Sequence, residues 1–176
     1  MDERILIEQL HDPSTRAKAF EIIVREYQVY LYWQVRRMVM SHSDADDIIQ
    51  NTFLKAWTAL DTFRGDSKIG TWLYRIAVNE TLSFLDRQKK NGIHTDMSVA
   101  ESLTGDPYFD GDKAQAQLQE AISRLPDKQR LIFNMKYFQE MKYDDISEVL
   151  GTSIGALKAS YHIAVKKISQ FFEQND

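Results

Sequence analysis

YDDISEVLGTS, residues 143–153, is the stretch on which the fold turns. Tyr143 to Leu150 has the length of a short helix, with Asp144 and Asp145 suited to its positive N-terminus. Gly151 stands where a helix ends in a left-handed residue, and Ser153 is placed to cap another helix that runs to about Phe172. Two helices joined by so short a turn make a helix-turn-helix. Working back, Pro126 suits the first turn of a helix carrying Leu131, Ile132, Met135 and Phe138, and Leu118, Ala121, Ile122 and Leu125 mark a short helix before it.

Further upstream, residues 92–112 gather Gly92, Gly105, Gly111 and Pro107 among acidic and small side chains, with no sustained period of 2 or 3.6, and read as a linker. Ahead of it, apolar residues at Phe20, Ile23, Val24, Tyr27, Tyr30, Leu31, Val35 and Met38 predict one long amphipathic helix ending near Met40. Ser43 and Asp46 form a start signal for a second helix to about Leu60. Residues 61–70 form a loop, and a third helix runs from about Thr71 to Lys90. The expectation is an all-α chain of two small helical domains, residues 1–91 and 113–174, joined by a flexible acidic linker over 92–112.

Composition agrees. Seven Gly and three Pro in 176 residues are too few turn formers for a many-stranded β fold. The absence of Cys excludes disulfide scaffolds, thiolate metal sites and cysteine nucleophiles, and favours the cytoplasm. No apolar run reaches the length of a membrane span, so neither membrane insertion nor export is expected. The net charge of -4 is unevenly placed: balanced over residues 1–90, six acidic against one basic over 91–120, and eight basic against seven acidic over 121–176. Lys158, Lys166 and Lys167 lie in a stretch, 151–172, without a carboxylate. A local basic surface therefore survives.

At about 100° per residue, Leu73, Tyr74, Ala77, Phe84 and Leu85 share the core side of the third helix, while Trp72, Arg75, Asn79, Ser83 and Lys90 lie opposite. An aromatic plane, a cation and an amide beside a loop with Phe63 and Arg64 suit unpaired bases, which stack, screen and pair with such groups. Packing of Trp72 against the loop is the competing reading, and on composition alone the favoured one. In the second helix, Ile49, Phe53, Ala56, Trp57 and Leu60 fall inward, and Asp47, Gln50, Asn51, Leu54 and Thr58 outward. In a helix-turn-helix the second helix enters the major groove, which makes Lys158, Ser160, Tyr161 and His162 candidates for base edges, with Lys166 near phosphates.

Enzymatic motifs fail one by one. Gly65-x4-Gly70 is followed by Thr71-Trp72 without the lysine of a phosphate loop. Asp44, Asp46 and Asp47 lack the glycine and glutamate of a calcium loop, and His11, His42, His94 and His162 have no ligand spacing. No enzyme activity, cofactor or metal is expected.

Five stretches together resemble the extracytoplasmic-function (ECF) sigma factors of bacterial RNA polymerase. DADDIIQNTFLKAW (44–57) is similar to that family's polymerase-docking helix; FRGDS (63–67) with TWLYRIAVN (71–79) resembles its promoter-melting segment; LPDKQR (125–130) with 143–151 resembles its fourth region. The resemblance implies a non-enzymatic initiation subunit. Asp47, Gln50, Asn51 and Leu54 would meet core polymerase. Phe63, Arg64, Lys68, Trp72, Arg75 and Asn79 would melt the minus-ten element and hold a flipped base, and Lys158, Ser160, Tyr161, His162 and Lys166 would read the minus-thirty-five duplex. An anti-sigma partner is usual in the family. The alternative is a helix-turn-helix regulator that binds its operator without polymerase, and a protein-binding antagonist of transcription ranks last.

Overall fold

The computed structural model describes residues 2–39, 41–92, 105–106 and 111–175. Among the described residues eight α-helices carry the fold: α1 (Glu3–His11), α2 (Arg16–Arg36), α3 (His42–Thr58), α4 (Ile69–Lys90), α5 (Lys113–Ser123), α6 (Asp127–Tyr137), α7 (Tyr143–Leu150) and α8 (Ile154–Gln174). A 3₁₀ turn, Leu60–Thr62, precedes the loop before α4. Among the described residues there is no strand, in keeping with the expected all-α class.

The helix-turn-helix forms as its sequence dictates. Gly151 takes φ +66°, a left-handed conformation open to glycine at little cost, and its N–H donates to the Ser147 carbonyl at 2.8 Å. The Ser153 hydroxyl accepts from the Ala156 N–H at 3.2 Å and starts α8.

Three local expectations need correction. Residues 3–11, unassigned above, form α1: Asp2 caps it, and Leu6 and Leu10, one turn apart, anchor it in the core. The cap of α3 is Ser41, whose hydroxyl accepts from the Asp44 N–H at 3.1 Å, whereas Ser43 lies exposed inside the first turn. Trp57, expected inward, is 42% exposed and meets the edge of the Phe20 ring at 5.2 Å. Phe20 occupies the space beneath it, so the larger indole is displaced to the rim.

Packing joins the halves. The larger core cluster runs from Leu6, Ile23, Leu31, Ile49 and Leu73 in α1–α4 into Leu131, Ile132 and Met135 of α6, Ile146 and Val149 of α7, and Leu157 of α8. A smaller cluster, built on Ile122, Leu125, Phe133, Ala164 and Ile168, belongs to the C-terminal helices alone. Polar ties cross the same boundary: Tyr30 OH donates to the Gln139 carbonyl (2.9 Å), Arg130 Nη2 to the Met38 carbonyl (3.1 Å) and Arg75 Nη2 to the Glu148 carbonyl (2.8 Å).

Most of the expected linker, including residues 93–104 and 107–110, lies outside the described residues. Asp106 does not: its side chain is fully buried against α2, with Arg36 Nε at 2.6 Å and the Tyr32 hydroxyl at 3.1 Å. Burial first, and then the neighbouring Asp106 carboxylate, raise the Tyr32 phenol above its usual range.

Candidate nucleic-acid and partner interface

On α3, Asp47, Gln50, Asn51 and Leu54 follow an i, i+3, i+4, i+7 spacing and are all exposed, Leu54 by 64%. They form one strip because Ala45, Ile48, Ile49, Thr52 and Ala56 turn the opposite side into the core. Beside the strip, a hollow of about 480 Å³ between α2 and α3 is floored by Phe20, Val24, Ile49 and Phe53 and rimmed by Leu54 and Trp57. An apolar trough edged by acid and amide groups suits an amphipathic helix with basic or polar flanks. The spacing identified the strip, but not the trough, which needs α2 laid alongside.

The loop and α4 hold the second group. Phe63 is only 5% exposed, and Trp72 stacks on it with ring centroids 4.5 Å apart and planes 20° from parallel. Trp72 does pack against the loop, the reading that composition favoured. Phe63 is therefore corrected from a presented ring to the support beneath a half-buried Trp72. Arg64, Lys68 and Asn79 are exposed. Arg75 is half-buried and committed to the Glu148 carbonyl near the end of α7. This group thus consists of two exposed loop cations, a half-buried indole and, two turns further along α4, an exposed amide.

Sequence reasoning missed what holds this loop. His11 Nε2 donates to the Phe63 carbonyl at 2.6 Å, and the Ile69 N–H donates to Glu3 Oε1 at 2.6 Å. Gly65, at φ +82°, runs beside Ile7: a Cβ built there would lie 3.5 Å from Ile7 Cδ1. The Leu6–Leu10 spacing after Asp2 was the available signal for the helix itself. Nothing in the sequence announces a contact 52 or 66 residues away.

In the C-terminal half, Lys158, His162 and Lys166 are exposed at successive i+4 positions of α8, and Ile154, Gly155 and Ala156 expose its first turn. Ser160 is half-buried. Tyr161 stacks on Phe133 at 5.6 Å and touches both core clusters, and burial raises its phenol pKa. Its ring belongs to packing more than to a reading surface. Arg37, between the Trp33 and Phe138 rings, is brought down to about 10 by burial. Among the described residues no group of three or more His, Cys, Asp or Glu is placed to hold a metal, and no helix is long and apolar enough to cross a membrane.

Comparison with known proteins bears on both halves. Residues 23–91 match the family described as sigma-70 region 2, and residues 115–168 match sigma-70 region 4. The ECF RNA polymerase sigma factor SigW of Bacillus subtilis is 33% identical over 157 residues, which span 82% of this chain and 83% of that protein. The ECF RNA polymerase sigma-E factor of Escherichia coli K12 is 27% identical over 175 residues, spanning 90% and 88%. Among solved structures, CnrH in complex with the cytosolic domain of CnrY overlays with a TM-score of 0.75 at 23% identity, covering 99% of each chain. RpoE of Bartonella quintana, in complex with the anti-sigma factor NepR, overlays with 0.74 at 22% identity, covering 89% of this chain and 98% of that one. At those identities the structural likeness is one of fold.

Proposed function

Because this chain belongs to the ECF sigma factors of the sigma-70 family, we propose that it carries out transcription initiation with three separate surfaces. As a sigma factor it directs core RNA polymerase to promoters and takes no catalytic step itself. The α3 strip of Asp47, Gln50, Asn51 and Leu54, with the trough beside it, docks on core polymerase. Arg64, Lys68, Trp72 and Asn79 take the unwound minus-ten strand, with Phe63 holding the Trp72 plane from below. Lys158, His162 and Lys166 face the minus-thirty-five duplex from α8.

The observation that carries the strand assignment is the exposure of Asn79 on the helix whose first turns carry Trp72, beside the Arg64–Lys68 loop. Extruding a base costs a few kcal/mol of stacking and pairing, and each base stacked on an aromatic side chain recovers about 1–3 kcal/mol. An amide that pairs with the base edge supplies the rest, and does so only after strand opening. The surface therefore traps the open state without having to force it.

The compact arrangement cannot be the working one. The two promoter elements lie about 25 base pairs apart, roughly 85 Å of duplex at about 3.4 Å per step. A folded chain of this length is about 40 Å across. The halves must part where α4 meets α7 and where the Tyr30–Gln139 and Arg130–Met38 hydrogen bonds cross, and parting frees Arg75 from the Glu148 carbonyl to meet phosphate. We place at the α3 strip a second, competing partner, an anti-sigma protein, since the similar CnrH and RpoE structures are complexes with CnrY and with the anti-sigma factor NepR. The site of action is the cytoplasm, with the polymerase. We divide the chain into region 2 at 1–91, a linker at 92–112 and region 4 at 113–174. A regulator that binds its operator without polymerase is disfavoured by the match of residues 23–91 to sigma-70 region 2.

Runoff transcription tests the reading. Core polymerase with this protein should produce a promoter-directed transcript, and Asn79→Ala should lower open-complex formation while keeping core affinity. A transcript without the protein, or wild-type opening by the Asn79→Ala holoenzyme, contradicts it.

A further inference from the structure

The loop that meets the unwound strand, residues 63–68, lies between a 3₁₀ turn and α4 and has no regular hydrogen bonding of its own. Its ends carry backbone groups that neither neighbouring element satisfies. Lys68 stands at the N-cap position of α4 and provides no side-chain cap, so the first-turn amides lack the usual local acceptor. The acceptor comes from Glu3, whose carboxylate takes the Ile69 N–H at 2.6 Å at the positive end of α4. At the other end, the Phe63 carbonyl receives the His11 Nε2 proton at 2.6 Å. Ile7, between these two residues on α1, underlies Gly65.

We propose that α1 is the positioning element of the strand-capture loop, with Glu3 and His11 holding its two ends and Ile7 its middle. The inference rests on the assignment of that loop to the unwound strand. Glu3 and His11 are two helical turns apart, about 12 Å, a separation that suits the two ends of a short loop. The helix that carries them is fixed in turn: Leu6 and Leu10 are buried, and Arg16 joins the Leu10 carbonyl (2.8 Å) to the Asp61 carboxylate (2.7 Å) just before the loop. The loop is thus held in place before a base arrives, and capture does not have to order it. The same geometry explains a carboxylate so close to a phosphate-binding surface. Glu3 is turned onto a backbone amide, where its charge supports α4 and leaves the strand to Arg64 and Lys68.

The test uses holoenzyme assembled from core polymerase and full-length variants. Glu3→Ala and His11→Phe remove the acceptor and the donor, while Glu3→Gln and His11→Gln keep them. Each disrupting variant should lower discrimination at the captured base, and the rate of open-complex formation, about tenfold, the effect of one lost hydrogen bond to a charged or buried group. Core affinity should stay at wild type, the thermal midpoint should fall by no more than the roughly 2–4 °C that one lost helix-end hydrogen bond of about 1 kcal/mol costs, and the glutamine variants should recover most of the discrimination. Wild-type discrimination in the Glu3→Ala/His11→Phe double variant overturns the proposal, as do glutamine variants no better than the disrupting ones. A fall in core affinity that parallels the loss of discrimination also overturns it, since the role would then be structural. Asn79→Ala, measured in parallel, separates the two claims. If it is neutral while the α1 variants lose discrimination, positioning stands and the Asn79 assignment fails; the reverse outcome sinks positioning and keeps the site.

Discussion

Asp106→Ala should be among the most damaging single substitutions outside the apolar core. The side chains of Arg36 and Asp106 are 2% and 0% exposed and meet at 2.6 Å. Removing the carboxylate takes from the buried guanidinium the charge that faces its Nε at 2.6 Å, while its bond to the Val39 carbonyl at 2.9 Å remains. Breaking a buried pair from one side costs about 3–5 kcal/mol, and the retained Val39 bond puts the expected loss at about 3 kcal/mol. With a urea m-value of about 2 kcal/mol/M, the midpoint should fall by about 1.5 M. Arg25→Ala is the control: its Glu21 partner is also 2.6 Å away, but the two side chains are 76% and 59% exposed, so the loss should stay below about 0.5 kcal/mol. Replacing both buried charges, with Arg36→Met and Asp106→Leu, should recover at least about 2 kcal/mol of the single-variant loss. The assay is equilibrium urea denaturation followed by circular dichroism and tryptophan fluorescence. An Asp106→Ala shift no larger than that of Arg25→Ala would refute the buried pair and, with it, the attachment of the linker to α2.

Leu54→Arg, on a residue 64% exposed, should weaken core polymerase binding at least about tenfold and leave the thermal midpoint unchanged, as competition binding with a labelled sigma factor would record. Gly151→Ala meets nothing within 4 Å, so its cost is backbone strain alone at φ +66°. About 1 kcal/mol is expected, a drop of roughly 2–4 °C in the calorimetric midpoint. The chain has no native Cys, so Lys18→Cys and Ser169→Cys permit specific fluorophore labelling of exposed positions on α2 and α8. Energy transfer between them should be high in the free protein and fall on addition of core polymerase and promoter; equal transfer in both states contradicts the separation of the halves.

How much was legible beforehand depended on whether the signal was local. Gly151 and Ser153 bounded α7 and α8 because left-handed backbone and a capping hydroxyl are requirements of single residues. The outward strip of α3 followed from helical periodicity. Trp57 was misplaced because periodicity gives a direction around a helix and says nothing of which neighbour fills the space there, and Phe63 because a loop has no period that tells a presented ring from a buried one. The burial of Asp106 was hidden in a segment whose composition reads as solvated, and its cause, Arg36, lies 70 residues away. Glu3 and His11 escaped for the same reason. Nine residues give too few turns for a periodic signal to stand out, and the role of α1 is set by a loop it meets only after folding.

The proposed gripping of unwound promoter bases by the α4 surface is tested most directly with 2-aminopurine at the position of the non-template minus-ten strand assigned to capture. With wild-type holoenzyme its fluorescence should rise as the base leaves the stack and then persist, and with Asn79→Ala holoenzyme of equal core affinity the persistent rise should be lost. An identical, lasting rise with both proteins would contradict the account.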